Sequence, residues 1–211
     1  MNNLNKSMFL SAVLAILALP VVAQSTDAPA PAATPAPVTS QEIQGRKDRQ
    51  QDRIANGVKS GELTAGETTN LENKEGDINH EEKDMRKLDD GHLTTADKAT
   101  LNQQQNQVSK DIYADKHNAN VQNKDPHSEY GARAERQQGR IAQGVQSGQL
   151  TAGEAAHLEN NEAKINQEVR TDRAANGGKL TSQERAQVNR QQNKESKQIY
   201  KDKHNDHTRT K

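Results

Sequence analysis

Apolar side chains fall into two unlike sets along the chain. Residues 8–22 form an apolar run broken only by Ser11 and Pro20, whereas beyond residue 40 single aliphatic residues stand far apart among Gln, Asn, Lys, Arg, Glu and Ala. Leu71, Ile78 and Met85 are spaced by seven, as are Leu101 and Val108, and Leu158 and Ile165. That spacing draws a thin apolar stripe of coiled-coil type down a helix. It predicts helices over 41–60, 64–89, 94–118, 127–147, 151–176 and 181–205, built from strong helix formers and free of proline except at the Pro126 boundary.

The breaks between these helices share one device. Ser60-Gly61-Glu62-Leu63-Thr64, ending on Glu67, recurs at Leu93-Thr94 with Asp97, at Leu150-Thr151 with Glu154 and at Leu180-Thr181 with Glu184. In each, a threonine stands three residues ahead of an acid, the capping box in which the hydroxyl accepts from the third amide and the carboxylate reaches back to the cap. The glycine just before suits the left-handed end of the preceding helix, and the leucine before the threonine is placed to staple the first turn. Short corners between long helices imply antiparallel neighbours. The predicted fold is all-α, with two tandem three-helix (up-down-up) repeats.

Duplication is explicit in the residues. Positions 49–118 align without a gap on 136–205 at a constant offset of 87, with 39 of 70 identical. RQQDRIANGVKSGELTAGE becomes RQQGRIAQGVQSGQLTAGE, and DIYADKHN becomes QIYKDKHN. Pro126 lies between the copies, so the expected domains are 41–123 and 124–211, two like helical units able in principle to fold alone and to gain stability by associating. Ahead of them, 24–40 holds four of the six prolines and reads as a disordered Pro/Ala-rich linker. Residues 1–23, with Lys6 before an apolar run shorter than the roughly 20 residues a spanning helix needs, read as a signal peptide cleaved after Ala23. The expected location is therefore periplasmic or secreted, with no stable membrane anchor after cleavage.

Composition narrows the chemistry. There is no cysteine, which excludes disulfides, thiol catalysis and thiolate metal sites. Twenty-nine basic residues balance 29 acidic ones, which argues against nucleic acid as a partner. Outside the leader the aromatics are Tyr113, Tyr130 and Tyr200, and mean hydropathy over all 211 residues is −1.14. The shared large apolar positions, Ile54, Val58, Leu63, Leu71, Ile78, Leu93, Leu101, Ile112 and Tyr113 with their counterparts, make a meagre core.

Three patterns invite a ligand. Gly61, Leu63 and Glu67 fall at the sixth, eighth and twelfth positions of an EF-hand calcium loop, but the first and third ligand positions are Asn56 and Val58, Arg86 and Leu88, Gln143 and Val145, Arg173 and Ala175. An arginine there opposes the ion, so calcium binding is a trailing reading. His204 and His207 could form a weak metal site, although His117 and His204 sit better as cations near helix ends. The repeated Ile112-Tyr113 and Ile199-Tyr200 read as a core plug closing the last helix of each copy, with a recognition patch as the alternative. No nucleophile elbow, phosphate loop or HExxH is present, and acids on well-solvated helices should keep ordinary proton affinities, so no catalytic, cofactor or metal residues are expected.

On the RIANGVxSGxLTAGE and QIYxDKHN units, the mature chain resembles a group of exported bacterial helical-repeat proteins, a likeness that implies architecture and brings no activity with it. LTAGE at 63–67, LTTAD at 93–97, LTAGE at 150–154 and LTSQE at 180–184 also resemble the LTxxQ motif of the all-helical Spy and CpxP periplasmic stress proteins, with an acid in place of the glutamine. That resemblance implies a chaperone-like module. The expected function is thus a non-enzymatic envelope protein acting through protein interaction, with other envelope proteins or self-association as partners. The alternative is a hydrophilic desiccation or osmotic-stress protectant. N-terminal sequencing of the exported protein should begin at Gln24 or within a few residues; a periplasmic species retaining Met1 would contradict the leader.

Overall fold

A computed structural model describes residues 37–122, 125 and 127–208, so the leader 1–23 and most of the linker 24–40 lie outside the described residues. The described chain is all-helical: α1 (Ser40–Ser60), α2 (Ala65–Leu88), α3 (Thr95–Lys116), α4 (Glu129–Ser147), α5 (Ala152–Ala175) and α6 (Ser182–Lys203). None of these helices is long and apolar enough to cross a membrane.

Each expected corner forms through its own side chains. Thr64, Thr94, Thr151 and Thr181 are N-caps, each with both halves of the capping box in place. A fifth box, Thr39 with Glu42, starts α1 inside the segment expected to be linker. Gly61 and Gly148 end α1 and α4 in the left-handed conformation, at φ 80° and 76°. The chain then turns so sharply that the Leu63 amide donates to the Gly57 carbonyl at 3.1 Å, and Leu150 repeats this on Gly144. Leu63 thereby lies over Gly57: a Cβ at Gly57 would stand 2.7 Å from Leu63 Cδ1, and one at Gly144 equally close to Leu150 Cδ1. The glycine of the repeated IANGV/IAQGV segment is thus the seat for the leucine of the next cap.

Side-chain bonds give the helix directions. Gln50 of α1 donates to the Gln105 carbonyl of α3 and Arg53 to that of Ser109, rising together along the two helices, so α1 and α3 run parallel. Between α1 and α2 the order reverses: Lys47 meets Glu82 and Gln51 meets Glu72. Gln104 with Glu81 and Lys74 with Asp111 show the same reversal between α2 and α3. In the second copy, Gln137 on Gln192 and Arg140 on Ser196 make α4 and α6 parallel, with Gln138 on Glu159 and Gln191 on Glu168 marking α5 as the opposed helix. These bonds set α2 antiparallel to α1 and α3, with equivalent bonds among α4, α5 and α6.

The copies also pack on each other, α2 against α5 and α1 against α4. Close approach is allowed by small residues: a Cβ at Gly76 of α2 would be 3.9 Å from Ala152 Cβ of α5. One buried apolar cluster runs through both copies, from Ile43, Ile54, Leu71, Leu101 and Ile112 to Ile141, Leu150, Leu158 and Ile199; a smaller cluster of Ile165, Val169 and Val188 closes the far end of the second. Two expectations about the core need correction. Tyr113 and Tyr200 are more than half exposed, and Ile112 and Ile199 alone are the plugs. Leu180 and Met85 are only partly buried, whereas Ile43, outside the aligned segment, is fully buried.

Gly57→Ala or Gly144→Ala should therefore cost about 1–3 kcal/mol, since the leucine beneath must leave its core position. Gly139→Ala, in mid-helix with nothing within 4 Å of the new methyl, should instead stabilise by about 0.5–1 kcal/mol. Equal effects in chemical denaturation would contradict this account of the corners.

Candidate functional site

Where the apolar stripe is thin, the interior is filled by carboxamides and carboxylates. Gln50, Gln51, Glu72, Glu75 and Gln105 of the first copy and Gln137, Gln138, Glu159, Glu162 and Gln192 of the second are all buried. They link neighbouring helices directly: Gln51 Nε2 to Glu72 Oε2 at 3.0 Å, Gln138 Nε2 to Glu159 Oε2 at 2.8 Å. Gln105 and Gln192 donate in turn to the backbone carbonyls of Ile43 and Tyr130. This layer is hidden in the apolar pattern because polar residues on a helix read as its wet face. The available signal was identity of these polar residues at core spacing in both copies, as in Leu71-Glu75-Ile78 and Leu158-Glu162-Ile165.

The copies differ at two buried places. Lys47 and Glu82 form a buried ion pair at 2.9 Å, and their counterparts are Ala134 and Val169. Val108 of the first copy becomes Glu195, so the second copy buries Glu159, Glu162, Glu195 and Asp202 with no buried lysine among them, whereas the first buries Glu72, Glu75 and Glu82 with Lys47. This overturns the expectation of ordinary proton affinities. Burial, aided by the Glu195 charge, lifts Glu159 to about 8 despite the Gln138 hydrogen bond. Burial together with the charges of Glu159 and Glu195 holds Glu162 well above the usual carboxyl range, Arg140 offsetting part of this, and neither of its oxygens has a hydrogen-bond partner. Glu195 rises to about 7, again through burial and with Asp202 beside it, while Asn161, Lys194 and Arg140 pull the other way. In contrast, burial would raise Glu82, but hydrogen bonds from Arg86 and Lys47 outweigh it and hold it low.

The residues laid over a calcium loop are committed elsewhere. Glu67 Oε2 accepts from the amide and hydroxyl of Thr64, and its Oε1 accepts from Asn118 and Asn120; Glu154 does the same with Thr151 and Asn205. The repeated asparagine of DKHN is thus a latch from the end of α3 or α6 to the cap of α2 or α5. His117 stacks on Tyr113 with ring centroids 4.1 Å apart and bonds its carbonyl through Nδ1, and His204 repeats both contacts on Tyr200. His207 Nδ1 points instead at Glu154, 3.6 Å away, so the two histidines of the candidate metal pair are engaged with different partners. Among the described residues no group of three His, Asp or Glu is placed to hold a metal ion.

Two grooves flank the α2 and α5 packing, each running from the cap of one of these helices along the other. One, of about 460 Å³, is lined by Thr64, Ala65, Tyr130, Asn166, Arg170 and Arg173. The connection between the copies lies in it: Gln122 donates its amide to the Gly61 carbonyl and accepts from the Ala65 amide, and Asp125 pairs with Arg173 at 2.9 Å. The other, of about 1290 Å³, is lined by the equivalent Thr151, Ala152, Asn79, Lys83 and Arg86, with Lys87 alongside. Glu159, Glu162 and Glu195 line neither groove. No family model, curated protein or solved structure matches the chain.

Glu159, Glu162 and Glu195 hold their protons more tightly folded than unfolded. Their contribution to stability is fully present below the ordinary value of 4.5 and is lost as pH rises to about 7–8. Glu159→Gln, which keeps the Gln138 acceptor without the charge, should recover on the order of 2–4 kcal/mol at pH 8.5 and almost nothing at pH 4.5. Denaturation at the two pH values checks this; an equal effect at both would contradict the buried-acid assignment.

Proposed function

We propose that this chain is a non-enzymatic, exported helical interaction module of the cell envelope, chaperone-like in action, and that it meets its partners at the open groove between α2 and the start of α5. That groove carries the proposal: a preformed cleft of about 1290 Å³, lined by Asp77, Glu82, Lys83, Arg86 and Lys87 and by the N-terminal turn of α5. A cleft of this size on a rigid helical frame suits a polypeptide segment. The acids with raised proton affinity, which in an enzyme would mark a reactive centre, are sealed inside the second copy away from both grooves, and this supports the non-enzymatic reading. A core continuous through both copies also favours a folded module over a protectant that orders only on drying.

Light scattering by a heat-denatured client protein tests the proposal. The purified chain should suppress scattering at near-stoichiometric amounts and show a cooperative helical melt in plain buffer. Suppression no better than an equal mass of inert protein would contradict the module, and a coil that becomes helical only on drying would establish the protectant instead.

A further inference from the structure

We propose that Asn176 is a site of spontaneous covalent modification, losing its side-chain nitrogen as ammonia to attack by the backbone nitrogen of Gly177, and that the product loosens the corner between α5 and α6. The Gly177 nitrogen adds to the side-chain carbonyl carbon of Asn176. A C–N bond forms, the amide proton passes to the leaving nitrogen, and ammonia departs from a cyclic imide. Water then opens the ring at either of its two carbonyls, leaving aspartate or its β-linked isomer. Water is the only co-reactant.

Asn-Gly occurs twice in the chain, at 56–57 and at 176–177. Glycine favours the attack because no side chain shields its nitrogen and its backbone turns freely. The fold separates the two sites. Gly57 lies inside α1, where the helical ladder holds its amide, and it is buried against Leu63. Ring closure there requires the helix to open and Leu63 to leave. Asn176 and Gly177 are both exposed at the end of α5, and Gly177, at φ 60°, has open space where a Cβ would stand. Backbone bonds of this turn use the amides of Asn176, Gly178 and Lys179, and the Gly177 amide donates to none of the described residues. The attacking nitrogen is therefore unbonded and wet. The first copy has no such site: its aligned residues are Asp89 and Asp90, and the Gly91 amide is bonded to the Arg86 carbonyl at 2.7 Å.

The side chain of Asn176 is placed so that its loss matters. Its Nδ2 donates to the Asp172 carbonyl at 2.9 Å and to the two carboxylate oxygens of Glu184 at 2.8 and 3.0 Å. Glu184 Oε2 also accepts from the Thr181 amide at 2.7 Å, half of the capping box of α6. These bonds restrain the carboxamide, and an exposed corner releases them by local motion alone. Aspartate at 176 turns the donor into a second carboxylate facing the cap acid, and the two repel. The β-linked isomer adds a backbone atom just ahead of the Gly178 amide, which bonds the Arg173 carbonyl at 2.7 Å.

The full chain is incubated at mildly alkaline pH and digested, and both Asn-Gly sites are read by mass spectrometry in one sample, beside a sample held in denaturant. In the folded chain Asn176 should convert about tenfold or more faster than Asn56, because opening a helix costs more than opening an exposed turn; in denaturant the two rates should come together. Equal rates in the folded chain, or an intact Asn176 when denatured chains have converted, would overturn the site. So would a ratio that persists in denaturant, since sequence and not fold would then set it. Asn176→Asp, the direct product, should speed amide hydrogen exchange in the first turn of α6 and leave that of α3 unchanged. Unaltered exchange in α6, or equal acceleration in α3, would overturn the loosening.

Discussion

Buried glutamine side chains bonding across helices are the interaction on which the rest of the structure depends. With few large aliphatic residues per copy, apolar contact alone leaves the space between three helices incompletely filled. Gln50, Gln51 and Gln105, and Gln137, Gln138 and Gln192, fill it and fix helix register at the same time, since each carboxamide reaches one particular carbonyl or carboxylate on a neighbour. Buried polar groups are costly when unpaired and specific when paired. A one-turn slip of α3 past α1 would break the Gln50 and Gln105 bonds together. Directional bonds of this kind give a sparse core a single arrangement that scattered leucines could not.

The same layer explains where the copies differ. In the first, a lysine and a glutamate are buried as a pair, each neutralising the other. In the second, Ala134 and Val169 replace that pair by apolar packing, and Glu195 enters where the first copy has Val108. Burying unpaired acids in low dielectric favours the neutral form, so the second copy gathers carboxyls that keep their protons near neutral pH. Divergence after duplication has thus left a buried Lys47–Glu82 pair in one copy and an additional buried carboxyl, Glu195, in the other, on one helical frame.

Local devices were the readable part of this fold. Helix ends depend on a few adjacent residues, and Gly61-Leu63-Thr64-Glu67 with its three relatives marks four of the helix starts, so those corners and the all-helical class follow from the chain. Burial was not readable, because it depends on what faces a residue. Gln51 and Glu72 carry no mark of the interior except that each repeats beside Ile54/Ile141 or Leu71/Leu158. Tyr113 and Tyr200 failed in the opposite direction: an aromatic in a polar chain invites assignment to the core, but stacking on His117 and His204 leaves each ring at the surface. The open groove was out of reach for the same reason. Its existence depends on the two copies packing through α2 and α5.

The central claim is that glutamine carboxamides are part of the core. Their side-chain amide protons report on it directly through hydrogen exchange measured by NMR. The carboxamides of Gln50, Gln51, Gln105, Gln137, Gln138 and Gln192 should show dispersed resonances and exchange much more slowly than those of exposed glutamines such as Gln103 and Gln146. Carboxamide signals that all coincide at the position of free glutamine and exchange at the free rate would contradict it.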